Sequence, residues 1–220
     1  MLKTGDPFPD FSLPNQDGKT RSLRDFAGKW LVLYVYPKDD TPGCTIQGQS
    51  FTRTRPAFDG LGVAVVGVSQ DDVGSHKSFC NKFGFSIDLL ADTNANLLTA
   101  LDVGQTEYKG TMYWNRTTFV VDPKGILRKV YTNVKPDGHE QVLLNDIKTL
   151  QAQYESHFGT YWAATGYACR GSIRFHRHFH DSVMASAPSS MTFTWPGCNR
   201  PGTRSRERRF NDALTQRLDN

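Results

Sequence analysis

The residues best equipped for chemistry lie in one stretch, Pro37-Lys38-Asp39-Asp40-Thr41-Pro42-Gly43-Cys44. It follows a nearly continuous apolar run, Trp30–Tyr36 (WLVLYVY), and opens a segment in which Thr41 and Pro42 supply an N-cap and a first-turn proline. A buried strand therefore gives way to a helix here, the place where open α/β sheets bind their ligands. Cys44 falls in the first helical turn, where free N–H groups and the positive end of the helix dipole favour an anion. Only the thiolate of a cysteine is nucleophilic, and a helix N-terminus is one of the settings that generates it. Thr41 puts a hydroxyl three residues earlier, within reach of the sulfur or of a bound oxygen. Gly43 exposes its backbone N–H, and Pro37 stiffens the loop and shields one side. Taken alone, the motif fits two readings: an activated nucleophile, or a small buried hydrophobe behind an ordinary N-cap.

The elements that must position this stretch alternate along the first 155 residues. Phe11–Pro14 and Thr20–Leu23 flank the turn Asn15-Gln16-Asp17-Gly18 as a small hairpin. The helix opened by Pro42 is expected to end near Arg55, because the residue before Pro56 is pushed out of the helical region. Val63–Ser69 (VAVVGVS) reads as a second strand covered on both faces. Asp71 or Asp72 caps a helix that runs to Phe83 and stops at Gly84, with Val73, His76, Cys80 and Phe83 on one face. Ile87–Ala91 is a short strand and Asn94–Leu101 a short helix. Thr117–Asp122 and Ile126–Tyr131 form a hairpin around Asp122-Pro123-Lys124-Gly125. Gly138–Tyr154 closes the set as an amphipathic helix bearing Val142, Leu143, Ile147 and Leu150. This order predicts an α/β sandwich whose sheet holds both parallel and antiparallel pairs.

Pro37-x-x-x-Thr41-x-x-Cys44 after an apolar strand resembles the active-site motif of the peroxiredoxins. The wider string Tyr34–Thr45 (YVYPKDDTPGCT) looks like the bacterioferritin comigratory protein subfamily, also called peroxiredoxin Q. The distal arginine of that family has a match in Arg116, within Trp114-Asn115-Arg116-Thr117-Thr118-Phe119 at the entrance to a later strand. The resemblance runs from about Gly5 to about Leu150. It implies a thioredoxin-like sandwich with a mixed central sheet flanked by helices, and a peroxidatic role for Cys44. Thr41 and the Cys44 N–H would hold the peroxide oxygens, and Arg116 would set fixed positive charge beside the thiolate. The chemistry agrees: attack on an O–O bond builds negative charge on the departing oxygen, which preorganised donors stabilise. A planar, permanently charged guanidinium suits that task better than a lysine. Without the resemblance, Arg116 would read as a surface arginine at a strand end.

Peroxide attack leaves a sulfenic acid that condenses with a thiol or is over-oxidised. Many members of the subfamily carry the resolving cysteine five residues after the first, a position that holds Gln49 in this chain. Others carry it in the next helix, which matches Cys80 in Ser75-His76-Lys77-Ser78-Phe79-Cys80. The resemblance thus implies an intramolecular Cys44–Cys80 disulfide, re-reduced by thioredoxin or a similar dithiol protein. Such a bridge requires Cα atoms within ~7 Å, so helices that hold them farther apart must partly unwind in each cycle. The other reading makes Cys80 a core residue and the resolving thiol external. The family needs no cofactor or metal, and its members of this type are often monomers.

Bulk properties bound the remaining possibilities. Hydrophobic residues make up 38% and charged residues 22%, an ordinary soluble balance, and no apolar run approaches the ~20 residues of a membrane span. Residues Met1 to Asp10 show no apolar signal core, and four scattered cysteines do not make a secreted disulfide scaffold, so a cytoplasmic location is expected. The net charge of +4 is uneven: residues 1–155 carry 17 Lys+Arg against 18 acids, whereas 156–220 carry nine Arg, no Lys and four acids. The chain therefore divides into a 1–155 domain and a 156–220 Arg-rich extension, read as poorly ordered and of unknown role, or as the product of a shifted reading frame. Within it, His176, His178 and His180 with Cys169 and Cys198 match none of the usual zinc spacings, so no metal is expected. The run Arg200 to Arg209 lacks the folded aromatic platform of a nucleic-acid site, and no nucleic-acid or membrane partner is expected. The competing class is a non-catalytic thioredoxin-like binding module with a basic interaction tail.

Overall fold

A computed structural model describes residues 2–164, with side chains to residue 154. The expectations for the extension beyond 164, its histidine cluster and its arginine run among them, lie outside the described residues. Strands Ser12–Pro14 (β1) and Thr20–Ser22 (β2) form the first hairpin, and a 3-10 turn, Leu23–Phe26, leads out of it. The long apolar run is strand Trp30–Val35 (β3), buried at every position. Its side chains point alternately to the two faces of the sheet. Trp30, Val32 and Tyr34, with Tyr36 just beyond, enter one apolar cluster, and Leu31, Leu33 and Val35 enter another.

The helix opened by Pro42 runs Pro42–Gly60 (α1), five residues past the expected end, with Pro56 inside it. A helical proline forfeits one backbone bond and costs about 3 kcal/mol. Burial offsets that cost: Phe58, one residue beyond the next turn's start, has no exposed surface and packs against Phe51 with ring centroids 6.0 Å apart. The apolar face outweighs the local preference of the Arg55–Pro56 pair.

Val63–Ser69 (β4) is followed by helix Val73–Phe83 (α2), whose Asp72 carboxylate accepts from the Ser75 N–H at 2.8 Å. Gly84 ends α2 in the left-handed conformation at φ 67°, which glycine adopts without strain. Asp88–Ala91 (β5) and Asn96–Ala100 (α3) come next. An unexpected hairpin then appears, Gln105–Tyr108 (β6) and Thr111–Trp114 (β7), turning through Lys109 and Gly110, both at positive φ. Thr117–Val121 (β8) and Leu127–Tyr131 (β9) form the expected second hairpin. The last helix, expected to stop at Tyr154, runs His139–Ala164 (α4), since no proline interrupts it.

The central sheet has the order β5-β4-β3-β8-β9, with β3, β4 and β5 parallel, β8 antiparallel to β3, and β9 antiparallel to β8. One face is covered by α1, α2 and α4 through residues such as Phe51, Phe79, Leu143 and Ile147. The other is covered by α3 and the N-terminal segment through Leu97, Leu98, Leu101, Phe8 and Phe11. Because β3 and β4 are parallel neighbours, the loops that leave their C-terminal ends lie side by side. Those loops lead to Cys44 and to α2.

Candidate active site

The chain leaves β3 at Val35, and the Tyr36 N–H still bonds the Val68 carbonyl at 3.2 Å. Thr41 is the N-cap residue in extended conformation, but its hydroxyl does not cap the helix; it donates to the Lys38 carbonyl at 3.1 Å. The first turn begins with the Thr45 N–H bonding the Thr41 carbonyl at 2.9 Å, so the N–H groups ahead of it face the loop side. Cys44 lies in this turn, only 3% exposed, and carries a free thiol.

Arg116 comes from the connection between β7 and β8, where its carbonyl accepts from the Val134 N–H at 3.0 Å. Its Nη2 donates to Cys44 Sγ at 3.3 Å and its Nη1 to Gln47 Oε1. A permanently charged donor is thus held directly against the sulfur. Gly43 makes room for it: a Cβ there would stand 3.3 Å from Arg116 Nη2 and 3.6 Å from Pro136. Pro37, Thr41 and Arg116 line a cleft of about 360 Å³ whose opposite wall is the β6–β7 hairpin, with Tyr108, Tyr113 and Trp114. The structure thus brings four of the five expected residues, Cys44, Thr41, Arg116 and Pro37, to one place.

Cys80 lies on the second helix, α2, with 7% of its surface exposed and no bridge to Cys44. Both thiols belong to the same apolar cluster beneath the sheet face. Burial pushes the Cys80 thiol up to about 12, with the Asp39 carboxylate adding to the shift. In this arrangement Cys80 is held as the neutral, poorly nucleophilic thiol.

Comparison with known proteins places these features in a family. Residues 4–130, more than half of the chain, match the AhpC/TSA family. The chain belongs to that family. It is 39% identical to Peroxiredoxin Bcp of Xanthomonas campestris over 142 residues, 63% of this chain and 89% of that one. It is 38% identical to a bcp peroxiredoxin of Helicobacter pylori over 149 residues, 66% of this chain and 98% of that one. Among solved structures, a Xylella fastidiosa peroxiredoxin Q variant superposes with a TM-score of 0.66 at 33% identity, covering 69% of this chain and 98% of that one. The peroxiredoxin therefore has the thioredoxin-like mixed sandwich of the bacterioferritin comigratory protein group.

Two parts of the peroxiredoxin's site escape a reading of the sequence. Gln47 is a helical polar residue like many others, yet it is 1% exposed and its amide oxygen anchors Arg116 from 69 positions away. The β6–β7 hairpin has a Lys-Gly turn where Asn-Gly or Asp-Gly is the usual signal, and all four residues of β6 are exposed. The run of strand-favouring Thr, Tyr and Trp residues through 106–114 was the available cue.

His139, the first residue of α4, adds a pH-sensitive contact behind the site. Its Nε2 lies 3.1 Å from Thr118 Oγ1, and burial followed by the Arg116 charge lowers its pKa from 6.5 to about 4. A histidine depressed in the folded state stabilises the fold above its unfolded value and loses that contribution as pH falls through the folded one. The urea midpoint is therefore expected to decline between pH 6.5 and 4. His139→Gln, which keeps an amide near Thr118 but cannot titrate there, should flatten that part of the profile. An unchanged slope in the variant would assign the acid sensitivity to other groups.

Proposed function

We propose that this peroxiredoxin reduces hydrogen peroxide and organic hydroperoxides through Cys44, with Cys80 as the resolving thiol and thioredoxin or a similar dithiol protein as the reductant. The observation that carries the reading is the Arg116 Nη2 at 3.3 Å from Cys44 Sγ in the first turn of α1. The Cys44 thiolate attacks one peroxide oxygen; the S–O bond forms, the O–O bond breaks, and the departing oxygen leaves as water or an alcohol after taking a proton. Arg116 and the free N–H groups of the helix start face the charge that develops in that step. Thr41, with its proton engaged by Lys38, offers lone pairs to the hydroperoxide O–H. Pro37 closes one side of the cleft, and the aromatic wall from Tyr108 to Trp114 offers apolar surface for an alkyl or aryl group.

The resolving role of Cys80 has a further support. Solved structures of Xanthomonas campestris peroxiredoxin Q include cysteine-to-serine variants at two positions 36 residues apart. Cys44 and Cys80 have the same separation. A related structure of that organism's bacterioferritin comigratory protein concerns its alkyl peroxide reduction. The reading extends to a cytoplasmic monomer. It is supported by the small number and scatter of the cysteines; among the described residues no helix is long and apolar enough to cross a membrane. The division into a 1–155 catalytic domain and a separate 156–220 extension belongs to the same proposal.

Cys80→Ser tests the cycle. With hydrogen peroxide and one bulky organic hydroperoxide, the variant should complete one fast turnover, to a stable sulfenic acid that dimedone traps in equimolar amount. Turnover with thioredoxin should then stop or fall to the rate of direct thiol attack. Undiminished disulfide-dependent cycling in Cys80→Ser would remove Cys80 from the mechanism.

A further inference from the structure

The loop that carries the peroxidatic motif is tied to α2 by one buried carboxylate. Asp39, two residues before Thr41 and 7% exposed, accepts from Tyr36 Oη at 2.7 Å through Oδ1. Its Oδ2 accepts from Ser75 Oγ at 2.8 Å and from His76 Nδ1 at 2.7 Å. Since Oδ2 is a carboxylate oxygen, the His76 proton that faces it sits on Nδ1. His76 has no exposed surface. The Asp39 N–H in turn bonds the Asp71 carboxylate at 2.8 Å, which also receives the Ser69 hydroxyl at 2.8 Å. Charge-assisted bonds of this kind, shielded from water, are the strong ones.

The other end of α2 is held differently. There the ion pair of Lys82 with Asp40 of the loop, at 2.6 Å, is more than half exposed on both sides and so worth little. The rest is aromatic packing: Phe79 meets Phe85 edge-on at 4.8 Å and Phe83 at 5.5 Å. Phe85 rests directly on Gly48 of α1, where even a methyl group would come within 2.5 Å of the ring. Cys80 lies between the two ends, four residues after His76.

We propose that Asp39 and His76 are positioning residues for the resolution step: they hold the first turn of α2 to the peroxidatic loop, so that only Lys77–Gly84 unwinds and Cys80 is delivered on a short tether. The proposal rests on Cys80 being the resolving thiol. In that step the Cys44 S–O bond breaks, the Cys44–Cys80 S–S bond forms, and the hydroxyl leaves with the Cys80 proton as water. A four-residue tether from His76 lets Cys80 range over at most about 14 Å. If the whole helix came loose, the tether would begin at Ser69, eleven residues away. Closure probability falls roughly as the three-halves power of length, so the loss amounts to about fivefold.

His76→Phe and Asp39→Asn are therefore expected to slow the first-order conversion of sulfenic acid to disulfide roughly fivefold. The second-order oxidation of Cys44, followed in the same stopped-flow traces, should change less than about twofold, and over-oxidation to sulfinic acid at high peroxide should rise accordingly. His76→Asn, whose amide N–H takes the place of Nδ1–H, should restore the resolution rate. An unchanged or faster resolution in His76→Phe, or a parallel fall in both rates, would overturn the proposal. A measurement on the unaltered protein serves if a variant does not fold. In the oxidised enzyme, hydrogen exchange should leave the Ser75 and His76 amides protected while those from Lys77 to Phe83 exchange. Exchange throughout α2, or protection throughout, would overturn the hinge. Peptide mapping of the same sample separates the two ideas: no Cys44–Cys80 disulfide sinks the role of Cys80, whereas a disulfide with α2 wholly unwound sinks only the hinge.

Discussion

Cys44→Ser is expected to abolish peroxide consumption, to the background of the assay, while leaving the fold intact. Serine nearly matches cysteine in shape, and Cys44 is buried among Tyr34, Phe51 and the first turn of α1, so circular dichroism and the urea midpoint should change little. What is lost is chemical. A hydroxyl does not ionise near neutrality, and oxygen attacks an O–O bond far less readily than a polarizable thiolate. Arg116 would still point at position 44, but at a neutral group with no electron pair of comparable reactivity. The check is twofold: peroxide consumption with a dithiol reductant, and dimedone labelling, which should find no sulfenic acid. Residual activity in Cys44→Ser would mean that another thiol reacts with peroxide. Cys80 is a poor substitute because burial keeps it protonated.

Arg116→Met should lower the second-order rate constant for peroxide by about 10²–10³-fold, the range typical of losing a preorganised donor to a developing oxyanion. The guanidinium acts at two points, Cys44 Sγ and Gln47 Oε1. Its removal strips the sulfur of its positive neighbour and leaves a buried amide oxygen without its donor, and the second effect adds a stability loss of about 1–3 kcal/mol. Arg116→Lys should recover only part of the rate, because one ammonium lacks the coplanar N–H pair that spans sulfur and amide. Stopped-flow oxidation at several peroxide concentrations reads the effect directly. A loss below about tenfold in Arg116→Met would place the charge stabilisation elsewhere, in the helix start alone.

Much of this was legible in the chain because the responsible forces are local. β3 and β4 announce themselves as continuous apolar runs since both faces are covered. α2 is bracketed by a capping Asp72 and a left-handed Gly84, each a short-range signal. Cys44 is conspicuous because Thr-Pro marks a helix start one turn before it. The parts that were not legible depend on distant partners. Pro56 would end α1 on local grounds, and only the burial of Phe58 in a shared core carries the helix past it. Gln47 and Asp39 are polar residues of a common kind whose partners, Arg116 and His76, are brought to them by the sheet. The β6–β7 hairpin is exposed along β6, so no core imposes on it the alternation by which strands are recognised.

The Thr41 hydroxyl has one proton, and it is donated to the Lys38 carbonyl. Toward the cleft the oxygen can only receive. Arg116 and the helix N–H groups, on the other side, can only give. A guest with an oxygen pair and one hydrogen, ROOH, answers both demands at once. A dialkyl peroxide, ROOR, has acceptors for the arginine but nothing to hand to the threonine, even if its chains fit the aromatic wall. With Thr41 and Arg116 holding the peroxide as proposed, the site would sort by hydrogen-bond polarity before it sorts by size, and dialkyl peroxides of matching bulk should act neither as good substrates nor as good inhibitors.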